Sequence, residues 1–280
     1  MFKKKHAGSL FFHLVMIIIS LITFYPILWL FGSSLTESSQ VFVQSYSVLP
    51  KEFYFSNYIN GWQGFGGVSF GRFFSNTVFI TVTSTVGLVL SSSIVAFGLS
   101  RLRFKGRKLI FGSMIATMML PYQVIMIPSY ILFYKIGWVD TYLPLIIPNW
   151  LAYPFHTFLI MQFCKTIPRE IDEAAAIDGC GNFTLFYRIV MPLLKPALVT
   201  AGIFAFFRNW NNFLGPLLYL TRVESFPLSL ALRLFADPES LTDWGAMFAM
   251  QFLSLIPLFV IFLIFQKRIV GGISISGLKG

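Results

Sequence analysis

Charge is scarce in this sequence: only 11% of its 280 residues are Asp, Glu, Lys or Arg. A water-soluble domain carries about 25%, so there is too little charge to cover a globule of this size, and a soluble fold is excluded. Cysteine is nearly absent too. Cys164 and Cys180 stand at no metal or redox spacing, a disulfide scaffold is excluded by number, and both read as passive thiols. No Gly-Lys pair occurs anywhere, so a G-x-x-x-x-G-K-[ST] phosphate loop is impossible. Fixed-period repeats and low-complexity tracts are also missing. The net charge of +10 lacks the basic patch on a polar surface that nucleic-acid binding needs. What the chain does have is apolar bulk: 56% of its residues are hydrophobic and 33 are Phe. It reads as an all-α integral membrane protein.

Charge-free windows place six transmembrane helices at about 10–32, 73–99, 109–134, 141–163, 196–220 and 244–266, each near the roughly 20 residues that cross a bilayer. Prolines inside them, such as Pro26, Pro121, Pro128, Pro148, Pro154, Pro216 and Pro257, are tolerated where neighbouring helices satisfy the freed carbonyls. Lys3, Lys4 and Lys5 before the first run imitate a signal peptide. The run continues to Phe31 without a small-residue cleavage site, however, and reads as a retained helix.

Basic residues set the orientation. With the N-terminus cytoplasmic, the inner loops and termini hold 15 Lys and Arg and the outer segments five, a bias that puts both termini inside. Two outer segments are long, Ser33 to Arg72 and Arg222 to Asp243. Aromatics in the first, from Phe53 to Phe70, suit anchoring at the membrane interface.

The inner segment 164–192 is the one loop with distinctive chemistry. Pro168 suits a first helical turn, and Glu170, Asp172 and Glu173 lie where a helix N-terminus favours acids. Ile171, Ala174, Ala175 and Ile177 follow helical spacing, Gly179 stands where a left-handed cap would stop the helix, and Asn182 is placed to cap a second one. Acids around an alanine face fit a protein partner better than an anionic lipid leaflet.

Glu173-Ala174-Ala175, three residues, Gly179, nine residues, Ile189, then Pro192 resembles the EAA loop of permease subunits of ATP-binding-cassette importers. The usual Leu before that proline is Met191. Arg101 to Arg107 (RLRFKGR), Met119 to Pro128, Asn209 to Leu218 (NWNNFLGPLL) and Val270 to Gly280 are similar to the carbohydrate branch, which includes the smaller permease subunit of the maltose importer. The resemblance implies a single type I permease domain over 1–280 in a bacterial cell membrane, with a second permease subunit as its heterodimer partner. It also implies two ATPase subunits that bind ATP and Mg, and an extracytoplasmic solute-binding protein. This chain would then be no enzyme and would hold no cofactor or metal of its own. Glu173, Ala174, Ala175, Asp178, Gly179 and Pro192 would couple to the ATPase. Gly277, Leu278, Lys279 and Gly280 would reach the ATPase interface, and the outer stretch from Glu224 to Asp237 would meet the binding protein.

Within the spans, Arg208 is the only charge, and an intramembrane charge is costly enough to suggest function. On a continuous helix Arg208, Asn211, Asn212 and Gly215 share one face, which makes the first three candidates for a solute path; a structural cluster between two permeases fits equally well. His156 reads as a hydrogen-bonded structural residue, and Met114, Met118, Met119 and Met126 as packing. An ion-coupled secondary transporter is the poorer alternative, because no carboxylate lies in any span. An intramembrane protease lacks its constellation. A sister permease for a polyamine, amino acid or other small polar solute would share the EAA loop and stays as the alternative to sugar.

Overall fold

The apolar runs fold as helices. A computed structural model describes residues 2–43, 48, 50–235 and 243–277, and no strand occurs among them. The order is α1 (Phe2–Ser34), α2 (Ser56–Gln63), α3 (Phe70–Arg101), α4 (Arg107–Met118), α5 (Tyr122–Lys135), α6 (Leu143–Ile146), α7 (Pro154–Thr166), α8 (Glu170–Ile177), α9 (Asn182–Thr184), α10 (Met191–Leu193), α11 (Lys195–Trp210), α12 (Leu214–Tyr219), α13 (Leu228–Phe235) and α14 (Trp244–Gly277). Four helical stretches are long and apolar enough to cross a bilayer: Phe11–Ser34, Phe70–Arg101, Leu143–Thr166 and Trp244–Gln266. Two bent pairs raise the number to six if each is one span.

One of these bends interrupts an expected continuous run, from a local cause; the other, of 77°, lies between residues 182–193 of the inner segment and α11. The expected run 109–134 is α4 and α5, meeting at 103°. Between them Pro121 is extended (φ −65°, ψ 140°); it has no N–H to continue the ladder. The expected run 196–220 likewise resolves into α11 and α12. The α11 ladder ends with the Asn211 N–H on Phe207 O (3.2 Å), and Asn212 Oδ1 accepts the Gly215 N–H (3.2 Å) at the start of α12. Arg208, Asn211 and Asn212 therefore do not share one helical face.

By contacts, the chain divides into two compact units, 1–71 with 231–256 and 72–230 with 257–280. In the first, Val41, Met247 and Phe248 are buried among Trp29, Leu30, Phe235 and Trp244. There Asn57 Nδ2 donates to Ser34 O (3.0 Å) and Thr36 O (2.8 Å), tying α2 to the end of α1. The second unit has a core of Ala96, Phe97, Ile160, Met161, Val190, Leu194 and Ala201, onto which Ala175, Leu185 and Phe186 of the inner loop also pack. That shared core seats the loop.

Candidate coupling loop and buried polar cluster

The inner loop begins with α8, whose first turn carries Glu170, Asp172 and Glu173, as the spacing predicts. Pro168 lies just ahead of the helix rather than in its first turn. At the other end, Gly179 is left-handed (φ +77°), its N–H bonds to Ala176 O (3.1 Å), and the Cys180 N–H bonds to Ala175 O (2.9 Å). These are the paired bonds of a Schellman cap. A Cβ at Gly179 would meet nothing within 4 Å; the constraint there is backbone handedness, not crowding within the chain. Asn182 does not cap by its side chain. Gly181 precedes α9, which passes into a π-helical turn at Leu185–Val190.

Burial divides the loop into two faces. Ala175, Leu185, Phe186 and Val190 face the core, and Phe186 meets Phe97 of α3 at 5.1 Å between ring centroids. Glu173, Ala174, Asp178, Gly179 and Pro192 are exposed. With them stand Ile177 (86% exposed), Phe183 (80%) and Tyr187 (63%), the last two with their rings stacked. Three bulky apolar side chains therefore stand outward beside acids.

Arg101, the last residue of α3, holds this loop in place. Its side chain is 4% exposed and pairs with Asp172 Oδ2 at 2.9 Å. Its second nitrogen donates to Cys164 O and Ile167 O, both at 2.8 Å. One guanidinium thus joins α3, the end of α7 and α8. Nothing in the sequence separates Arg101 from the other basic residues between the second and third spans.

A polar cluster sits where the fourth apolar run breaks. After α6 comes a 3-10 turn at Ile147–Leu151, then Ala152 at φ +64°, then extended Tyr153 before Pro154; a residue preceding proline is pushed out of the helical region. The freed N–H groups of Ala152 and Tyr153 donate to Ser91 Oγ (3.0 Å) and Ser92 Oγ (3.2 Å) of α3. Gly87 lets the two segments meet: a Cβ there would lie 2.2 Å from the Trp150 indole, whose Nε1 donates to Thr83 O (3.2 Å).

Arg208 reaches this break. Its guanidinium lies 3.8 Å above the Tyr153 ring, and its Nη2 donates to Asn149 Oδ1 and, at 3.5 Å, to Asn209 Oδ1. Asn149 is oriented by its own donation to Leu145 O (2.8 Å). His156 is 2% exposed, packs against the Tyr153 ring, and has no partner at either ring nitrogen, against the expected structural hydrogen bond. Asn211 Nδ2 donates to Phe207 O and Asn212 Oδ1 accepts from Gly215 N–H, so neither joins Arg208. Asn149 and Tyr153 are the members that the sequence did not reveal; an amide in the middle of a charge-free window was the available sign.

On the outer side, Asp140 (φ +63°) accepts the N–H groups of Thr221 (3.1 Å) and Arg222 (3.3 Å) and pairs with Arg222 Nε at 2.8 Å. Arg72 and Asn76 of α3 donate to Glu224 O at 3.3 and 2.8 Å, and Asn76 also to Phe226 O at 3.0 Å. The stretch Thr221–Phe226 is held from both sides. Burial opposes ionisation of Asp140, but the Thr221 and Arg222 donors and the guanidinium outweigh it, keeping its carboxyl below the usual range. Of the outer stretch expected to meet a binding protein, residues 236 and 237 lie outside the described residues, as do Leu278, Lys279 and Gly280 of the tail.

The family model described as "Binding-protein-dependent transport system inner membrane component" matches residues 87–275, which takes in the inner loop and the polar cluster. Among curated proteins, the chain is 34% identical over 258 residues to the probable ABC transporter permease protein YurM of Bacillus subtilis, covering 91% of this chain and 84% of that protein. It is 33% identical to the arabinooligosaccharides transport system permease protein AraQ of the same organism, over 98% of this chain and 95% of that one. Among solved structures, one chain from a bacterial ABC transporter involved in the import of the acidic polysaccharide alginate superposes with a TM-score of 0.83 at 23% identity, covering 94% of this chain and 97% of that chain. The shared fold is that of an ABC importer permease. This chain belongs to the family of inner membrane components of binding-protein-dependent transport systems, and is a multi-pass membrane transport subunit, not an enzyme.

Proposed function

We propose that this chain is one of two permease subunits in an importer for a sugar or oligosaccharide. A separate binding protein delivers the solute, and two ATPase subunits holding ATP and Mg drive the cycle. The observation that carries this reading is the inner loop. A short acidic helix, stopped by a left-handed glycine and pinned by Arg101, presents Ile177, Phe183 and Tyr187 outward with no partner for that face among the described residues of the chain. Glu173, Ala174, Ala175, Asp178, Gly179 and Pro192 make the contact with the ATPase in this reading, and the tail Gly277–Gly280 extends it. Relationship to a permease named for arabinooligosaccharides at 33% identity over nearly the whole chain supports a sugar over a polyamine or amino acid.

The test is reconstitution with the co-encoded permease, ATPase and binding protein in lipid vesicles. ATP hydrolysis should rise when the binding protein carries sugar, and sugar should accumulate inside. This chain purified alone should hydrolyse no ATP. Turnover by the single chain, or stimulation by amino acids or polyamines but no sugar, overturns the reading.

A further inference from the structure

Arg208 is the only charge in the six apolar runs, and the groups it touches among the described residues are neutral: Asn149, Asn209 and the face of Tyr153. A cation in a membrane span ordinarily meets a counter-charge or a water-filled path. Among the described residues, the ion pairs are Arg101 with Asp172 and Arg222 with Asp140; neither involves Arg208. Both of the hydrogen bonds it gives to amide oxygens leave from Nη2, and no acid among the described residues meets Nε or Nη1. A guanidinium N–H given to a carboxylate oxygen is a charge-assisted bond, shorter and stronger than one to a neutral acceptor.

The surroundings favour a visiting anion over a fixed one. Three neutral contacts from this chain already hold the guanidinium in place, so no permanent counter-charge is needed to position it. Tyr153 is 39% exposed, leaving the cluster reachable from outside the chain. His156, beside the same ring and 2% exposed, keeps both nitrogens without a partner. An unsatisfied buried polar ring next to an uncompensated cation marks a site completed by something absent from the chain. The Asn149 amide and the Tyr153 ring are groups that suit sugar hydroxyls and sugar faces.

We propose that Arg208, Asn149 and Tyr153 form a seat for the carboxylate of an acidic sugar passing this subunit, a deepening that rests on the importer reading above. The seat explains why one charge is kept in the spans and why it is held away from acids.

The experiment uses the whole complex in vesicles loaded with ATP. They are offered, with the binding protein, a mixture of oligogalacturonides and glucuronoxylan fragments alongside neutral arabino-, xylo- and malto-oligosaccharides, and the accumulated sugars are identified by mass spectrometry. Acidic sugars should enter. Arg208→Gln should lower their uptake at least tenfold while the four kinds of subunit still co-purify, and Arg208→Lys should keep part of it. Accumulation of neutral sugars alone overturns the acidic seat and leaves the importer intact. Acidic uptake unchanged in Arg208→Gln overturns it as well, and so does loss of co-purification, which would place the counter-charge on the second permease. If no sugar accumulates, the importer reading falls and takes the seat with it.

Discussion

Arg101 shows how much one side chain can decide. Its guanidinium, 4% exposed, serves a carboxylate and two carbonyls that belong to two different helices and the turn between them. Removing one partner of a buried ion pair costs roughly 3–5 kcal/mol, and Asp172 at 19% exposure moves the expectation toward the lower end. Arg101→Gln should therefore lower the melting temperature of the complex and loosen its hold on the ATPase, measured by differential scanning and by co-purification. Asp172→Asn, which leaves the carbonyl bonds in place, should do less. Sequence reasoning counted Arg101 as one of several inner positive charges, because a charge count carries no direction; only the end point of α3 singles it out. Asp140 is a second such residue, with a pH signature. Its folded carboxyl titrates below the unfolded value, so its contribution is complete above the ordinary carboxylate range and disappears as pH falls through the lowered folded value. Asp140→Asn should reduce thermal stability slightly at neutral pH, within the 0–1 kcal/mol of about any exposed pair. In strong acid, where the wild-type carboxyl is also protonated, the two proteins should melt together.

Elements were legible where sequence spacing is local. The acids of α8, its alanines and the left-handed Gly179 follow from positions only three to six residues apart, and the Schellman bonds at 2.9 and 3.1 Å are what such spacing makes. A residue with Cβ in that conformation costs about 1 kcal/mol or more, and a β-branched one is a real outlier there. Gly179→Val should leave membrane insertion untouched, because the loop lies outside the apolar runs. It should still halve or worse the ATPase recovered with the complex, since it distorts the end of α8 next to Ile177. Full recovery would mean that the cap does not shape the docking face. Bends were not legible, for a reason of kind. Hydropathy sums over α4 and α5 as one window, yet Pro121 turns the chain by 103°, and a sum contains no angle. Asn211 and Asn212 were placed on a helical face for the same reason. The spacing rule assumes that the helix continues, and here it stops at Trp210.

At the scale of the whole molecule, composition settled the class and family likeness settled the role, but the contacts across the second unit had to be seen. Asn149 and Tyr153 meet Arg208 across more than fifty residues of chain, a distance at which single-sequence periodicity is silent. The exposed trio Ile177, Phe183 and Tyr187 makes a further test of assembly. Changing Phe183 and Tyr187 together to Ser should leave folding and insertion intact, since neither is buried. The complex should lose its ATPase in pull-down, and unchanged recovery would move the docking surface elsewhere.

One helix joins most of these features. From Arg72 to Arg101, α3 runs about 44 Å at 1.5 Å per residue. Near its outer end Arg72 and Asn76 hold the 224–226 backbone, further along Ser91 and Ser92 take the break in the fourth run, and at its inner end Arg101 grips the inner loop. A stiff rod clasped at three stations needs no relay of small rearrangements between them. In the proposed importer, a partner that shifted the loop would send the same stroke to the polar cluster and to the far rim, so the side of the membrane that receives cargo would be told of events on the side that burns fuel.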